Sequence, residues 1–184
     1  MAKKVSIEKI SLDKAMSMLR KQHGTTSIAT GKENISVDVP TIPSGVLSMD
    51  HLFQIGGIPL GRMIEISGRE GAGKTMLSAI IMGEMQRQGK MCVFIDGEHT
   101  ANRSFFESLG VNFDDLLISQ PNNLEEALEV MHTLTLVPEV GLIVYDSVPA
   151  LPSIQEERTP AGEVKVVSIS KILTPALRRF TPLL

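Results

Sequence analysis

Gly68-Arg69-Glu70-Gly71-Ala72-Gly73-Lys74-Thr75 satisfies the pattern G-x-x-x-x-G-K-[ST], with a strand-like run, Met63-Ile64-Glu65-Ile66, before it and a helix-like stretch, Met76 to Gln88, after it. The chemistry this spacing serves is phosphate capture. Gly68, Gly71 and Gly73 let the backbone turn tightly and aim its N–H groups inward, and those donors join the positive end of the following helix in a cage for anions. Lys74 reaches the β and γ phosphates as a point charge, and the Thr75 hydroxyl is placed to ligate Mg2+. Arg69, Glu70 and Ala72 line the same loop, so residues 68–75 together form the expected nucleotide-binding set. A glycine turn that happens to precede a helix is the bland alternative, and it seldom satisfies the whole motif in this context.

Two carboxylates extend the chemistry. Asp146 ends the apolar run Leu142-Ile143-Val144-Tyr145, and an aspartate there, opposite a phosphate-binding loop, orients Mg2+ directly or through water. On its own the pattern is weak, since an aspartate there can merely cap or turn the chain, and pairing with the phosphate-binding loop gives it weight. Glu98 follows Phe94-Ile95-Asp96 by one glycine. That position overhangs the γ phosphate, where a carboxylate polarises an attacking water as general base. Spacing leaves Asp96 as a competitor for the role and His99 as a bystander. Lys74 is the expected catalytic cation and Glu98 or Asp96 the candidate base, with Thr75 and Asp146 at the metal.

Elements of alternating type must position these groups. From Met63 onward, strands at Met63–Ile66, Met91–Asp96, Leu116–Ser119 and Gly141–Tyr145 interleave with helices at Lys74–Gln88, Ser104–Leu109 and Leu124–Leu136. Apolar strands separated by helices predict an α/β fold with a mostly parallel sheet covered on both faces. Ligands in such sheets bind at the carboxyl ends of the strands. The loop at 68–75, the segment Asp96-Gly97-Glu98 and the pair Asp146-Ser147 all fall at such ends. Upstream, residues 9 to 23 read as a separate helix, capped by Ser11, ended by Gly24 and apolar along Leu12, Ala15, Met16 and Leu19. Thr25 to Pro43 reads as an extended arm. The expected organisation is a helix and arm over residues 1–40 and a nucleotide-binding core over 41–184.

Composition narrows the classes. A chain of 184 residues with 42% hydrophobic and 21% charged residues suits one globular core with a short appendage. A net charge of −3 does not announce nucleic acid or acidic lipid, so any DNA contact has to come from a local patch. Cys92 sits inside Met91-Cys92-Val93-Phe94-Ile95, the setting of a buried structural thiol, and as the single cysteine it forms no disulfide within the chain. The N-terminus has no apolar leader, and no stretch approaches the ~20 apolar residues of a membrane span. The expected location is cytoplasmic. The histidines and the cysteine show no metal-ligand spacing.

The motifs taken in order carry a resemblance. Thr41-Ile42-Pro43-Ser44-Gly45-Val46-Leu47-Ser48-Met49-Asp50, then Gly56-Gly57-Ile58-Pro59-Leu60-Gly61-Arg62, approach the phosphate loop. Phe94-Ile95-Asp96-Gly97-Glu98-His99, Leu117-Ile118-Ser119-Gln120-Pro121, Val144-Tyr145-Asp146-Ser147-Val148 and Lys171 to Phe180 follow it. In order and in gaps these resemble the bacterial and phage RecA recombinase family, from about Leu12 to Phe180. The resemblance implies a subunit of an ATP-dependent filament that coats single-stranded DNA, finds homologous duplex and exchanges strands in recombination and repair. It implies that Glu98 activates water, that Asp146 is the Walker B residue, and that the N-terminal helix and arm dock on a neighbouring subunit. Asn102 and Phe105 fall at the adenine contacts, where that family commonly has Asp and Tyr. Pro152 to Val164 falls at its first DNA-binding loop.

Departures accompany the likeness. Arg69, Gly71 and Ala72 stand where the bacterial type has Pro and two Ser, which fits a divergent, phage-borne member. The DNA loop holds Arg158 but also Glu156, Glu157 and Glu163, with Lys165, Lys171, Arg178 and Arg179 following; Arg158, Lys165 and Arg178 are the candidate DNA contacts. Its Gly/Pro-containing, polar character suits a mobile segment. Pro175 is expected to kink or end the last helix. The family continues past the position of Leu184 with further strands, a glutamine that senses the γ phosphate, a second DNA loop and basic residues offered to the neighbour's ATP. The expected product is therefore a core with one open sheet edge and marginal stability alone. The rival readings are a nucleotide-binding filament modulator without turnover, a small-molecule kinase and a hexameric motor.

Overall fold

The computed structural model describes residues 9–25, 27–32, 39–159 and 169–184. Residues 1–38 and 39–184 form separate compact units. In the first, helix α1 (Leu12–His23) begins where the Ser11 hydroxyl accepts the Lys14 N–H and ends at Gly24, whose φ of 95° only glycine adopts without strain. The chain then folds back on it, with Arg20 Nε donating to the Ile28 carbonyl at 3.0 Å. Leu12, Met18 and Leu19 stay exposed.

The second unit opens with a short antiparallel pair, β1 (Thr41–Ile42) and β2 (Ile58–Pro59), flanking helix α2 (Leu47–Phe53). Their approach requires Gly57. A Cβ there would lie 2.0 Å from the Ile42 carbonyl oxygen.

Helix α3 (Lys74–Arg87) leads into β3 (Met91–Asp96), and α4 (Arg103–Ser108) leads into β4 (Leu116–Ser119). Helix α5 (Leu124–Thr135) precedes β5 (Val140–Asp146), followed by α6 (Ile154–Glu157) and α7 (Ile169–Phe180). The strands pair in parallel in the order β4-β3-β5, so β3 is central. Its side chains alternate between two cores, as period 2 dictates. Cys92 and Phe94 meet Ala79, Met82 and Met85 of α3 together with Phe106 and Val111. Val93 and Ile95 face Ala127 of α5 and Leu151. Each large side chain buried this way contributes roughly 1.5–3 kcal/mol, so β3 is the most strongly held strand of the sheet. Burial pushes the Cys92 thiol up to about 12, the state of an inert structural cysteine. α7 closes a third cluster, with Phe180 against Leu124 and Leu128 of α5.

Two local expectations are corrected. Met63–Ile66 forms no strand, and Met63 and Ile64 are 47% and 45% exposed. The cause is the lack of a ladder partner: β5 spends one edge on β3 and has no strand on the other among the described residues. Pro175 lies inside α7, which continues to Phe180, so it does not end the helix. Among the described residues no helix is long and apolar enough to cross a membrane.

Candidate nucleotide site

The phosphate-type loop reaches α3 through Gly71 at φ 73° and Gly73 at φ 87°, left-handed positions that a side chain would strain. Gly73 is the N-cap of α3 and supplies no side-chain acceptor. The N–H groups of the first helical turn therefore have neither intrahelical nor capping acceptors, which is the arrangement that binds an anion. Lys74 curls back, its Nζ donating to the carbonyl oxygens of Gly68 at 3.1 Å and Arg69 at 3.0 Å. The ammonium is thus held against the backbone of its own loop. Thr75 Oγ1 donates to Asp146 Oδ2, which ties the start of α3 to the end of β5.

The carboxyl end of β3 is built differently. Asp96 is 0% exposed, yet its carboxylate accepts the Thr100 N–H, the Ala101 N–H and the Gln120 side-chain amide, each at 3.0 Å. Burial pushes this carboxyl up, but the bonds from Gln120, Ala101 and Thr100 and the charge of His99 outweigh it and leave it below the ordinary range. A carboxylate so enclosed is a structural clamp on the turn 97–101, and it is withdrawn from the competition for general base.

Glu98 projects from that turn and is exposed. The turn is anchored by the Gly97 N–H to the Asp146 carbonyl at 2.9 Å. It admits only a glycine at 97 without displacement, since a Cβ would come within 3.3 Å of Leu151 and Tyr145. The Glu98 carboxylate accepts the Ser147 hydroxyl at 2.7 Å. The geometry therefore brings Lys74, Thr75, Asp146 and Glu98 to adjoining strand and helix ends. Thr75 and Asp146 are hard oxygen donors that suit Mg2+, which keeps water and phosphate oxygens for its remaining positions. Among the described residues no cluster of three or more His, Cys, Asp or Glu side chains is placed to hold a metal ion.

Asn102 and Phe105 lie at the start of α4, where the Asn102 side chain accepts the Phe105 N–H at 3.0 Å as N-cap. The Phe105 ring packs edge-on to Phe106 with centroids 5.8 Å apart and remains 38% exposed. It offers one apolar face to a planar ligand. Arg103 steadies the same helix through Glu107, Asp114 and the Phe113 ring.

The RecA N-terminal domain family matches residues 10–184. This chain belongs to the RecA family. Its relatives include the RecA protein of Wigglesworthia glossinidia brevipalpis, 41% identical over 172 residues, which covers 94% of this chain and 52% of that protein. The RecA proteins of Colwellia psychrerythraea and Paracoccus denitrificans are 40% and 38% identical over 93% of this chain, and 50% and 48% of their own lengths. The chain thus spans about half the length of the curated RecA proteins it matches.

In this RecA-family chain the stretch expected as one mobile DNA loop is partly helical. Ile154–Glu157 form α6 behind a capping box in which Ser153 and Glu156 satisfy each other's backbone N–H. Glu125 accepts the Ile154 N–H at 3.0 Å, which fastens α6 to α5. Glu156 is thereby used in the cap, while Glu157 accepts a long bond of 3.4 Å from the Asn123 side-chain amide. Arg158 is the exposed C-cap of α6 and Arg178 is exposed on α7. Lys165 and Glu163 lie outside the described residues. Sequence reasoning missed Ser147 and Gln120. Their roles arise from cross-strand register, and only their places after strand ends could have marked them.

Proposed function

We propose that this chain is the nucleotide-binding and hydrolysing part of a RecA-type DNA recombinase. Residues 68–75 cradle the phosphates of ATP, with Lys74 countering their charge. Thr75 and Asp146 hold Mg2+, which when bound supplies positive charge to the phosphate oxygens. Glu98 takes the proton of the attacking water. Phe105 stacks on the base and Asn102 sits beside it. The helix and arm over 1–40 dock on a neighbouring subunit, so that copies assemble on single-stranded DNA for homology search and strand exchange with duplex. Arg158, Lys165 and Arg178 are the proposed DNA contacts.

The observation that supports this reading most is the Thr75 to Asp146 hydrogen bond. It joins the hydroxyl of the phosphate loop to the strand-end carboxylate on the sheet edge from which Glu98 also projects. A general anion site at a helix N-terminus has no need of such a pair.

ATP hydrolysis by the purified chain, with and without single-stranded DNA, tests the proposal. DNA-stimulated turnover that is lost in both Lys74→Ala and Glu98→Gln upholds it. Nucleotide binding that Lys74→Ala abolishes, with no turnover at any DNA concentration, replaces it with a nucleotide-binding filament modulator.

A further inference from the structure

We propose that Ser147 is a positioning residue for Glu98; this rests on the reading of Glu98 as the base that activates water. Glu98 sits on an exposed turn, and an exposed glutamate samples many rotamers unless a donor fixes its carboxylate. A base must be held near one geometry for its reach to count, because small misplacements are costly. The strand ends meet that need twice. At the backbone, the Gly97 N–H donates to the Asp146 carbonyl at 2.9 Å. At the side chains, Ser147 Oγ donates to Glu98 Oε1 at 2.7 Å.

The Ser147 end of this contact is itself fixed. Its carbonyl accepts the Ala150 N–H at 3.0 Å, which locks the turn that leaves β5. Asp146, the residue before it, is held by Thr75. Ser147 therefore relates the Glu98 carboxylate to the same strand end that carries the Thr75–Asp146 pair. The hydroxyl proton engages one carboxylate oxygen and leaves the other, Oε2, free to accept the water proton as the water oxygen attacks phosphorus and the β-phosphate oxygen departs with the bonding pair. The hydroxyl transfers no proton in this step.

Ser147→Ala, Ser147→Thr and Glu98→Gln, compared in steady-state ATP hydrolysis, test the assignment. The expected result is a fall in kcat of about 10-fold for Ser147→Ala with KM for ATP unchanged, and recovery in Ser147→Thr, which keeps the donor. A Ser147→Ala chain with wild-type kcat beside an inactive Glu98→Gln overturns the positioning role and leaves Glu98 as base. An active Glu98→Gln overturns the reading of the base instead. A second measurement does not depend on turnover: at fixed pH, the side-chain carboxyl 13C resonance of Glu98 is expected to move in Ser147→Ala and to return in Ser147→Thr. An unmoved resonance overturns the proposal even if the chain does not hydrolyse ATP. Where Ser147→Ala fails to fold, Ser147→Cys takes its place, with similar shape and a weaker donor.

Discussion

Asp96 and Asp146 end neighbouring parallel strands directly across from one another, yet one carboxylate is enclosed and the other faces the phosphate loop. Asp96 is filled by Thr100, Ala101 and Gln120. Asp146 takes the Thr75 hydroxyl and remains partly open. The same residue type at the same register position thus serves once as a clamp on a turn and once as the partner of the Thr75 hydroxyl.

Asp96→Asn is predicted to cost about 1–3 kcal/mol, because an amide group replaces an acceptor facing buried N–H donors. The folded carboxyl lies below its ordinary value, so its contribution is complete above the unfolded value of ~3.9 and is lost as pH falls through the folded one. Urea melts of chain and variant should therefore differ at neutral pH and converge in acid. A gap that widens in acid contradicts the clamp.

Asn102 and Phe105 should separate by assay. Asn102→Ala removes the cap of α4 and is expected to lower stability by about 1 kcal/mol. Phe105→Ala leaves the cap intact and is expected to weaken nucleotide binding by about 10-fold, the size of a lost ring contact. Thermal melts and titration with a fluorescent nucleotide distinguish them. An unchanged affinity in Phe105→Ala removes that residue from the base contact.

Gly83→Ala tests how closely α3 packs. Helix propensity favours alanine by about 1 kcal/mol. The new Cβ, however, would lie 2.8 Å from the Gly110 carbonyl oxygen, a rigid backbone atom. Overpacking of this kind costs about 1–3 kcal/mol, so the net effect is predicted to be a lowered Tm. A raised Tm would mean that the 109–110 turn yields.

The strands at 91–96 and 116–119 and the start of α3 were legible because unbroken apolar runs and a glycine-lysine loop leave few alternatives. The run at Met63–Ile66 misled because apolar residues mark extended chain but cannot say whether a ladder partner exists. α6 was hidden because Glu156 and Glu157 read as charge against DNA, whereas Glu156 closes the capping box and Glu125 of α5 fastens the helix. Asp96 could not be told from Glu98 as base by spacing, since the difference lies in three donors brought in from Thr100, Ala101 and Gln120. Pro175 reads as a kink or an end; it does not end α7, whose packing on α5 through Phe180 offsets the local penalty.

Among the described residues no strand covers the outer edge of β5, and Met63 and Ile64 are exposed, which predicts stability that depends on association. The urea midpoint of the chain is expected to rise with its concentration. A steep transition that stays put over about a hundredfold range of concentration contradicts this.

The Thr75–Asp146 bond links residues 71 positions apart. Closing so long a loop is entropically unfavourable until the intervening helices and strands have packed, so the bond forms late in folding. The phosphate loop is therefore brought against its strand-end carboxylate only after β5 has joined β3. Nucleotide bound at the proposed site is therefore expected to slow unfolding while leaving the folding rate nearly unchanged.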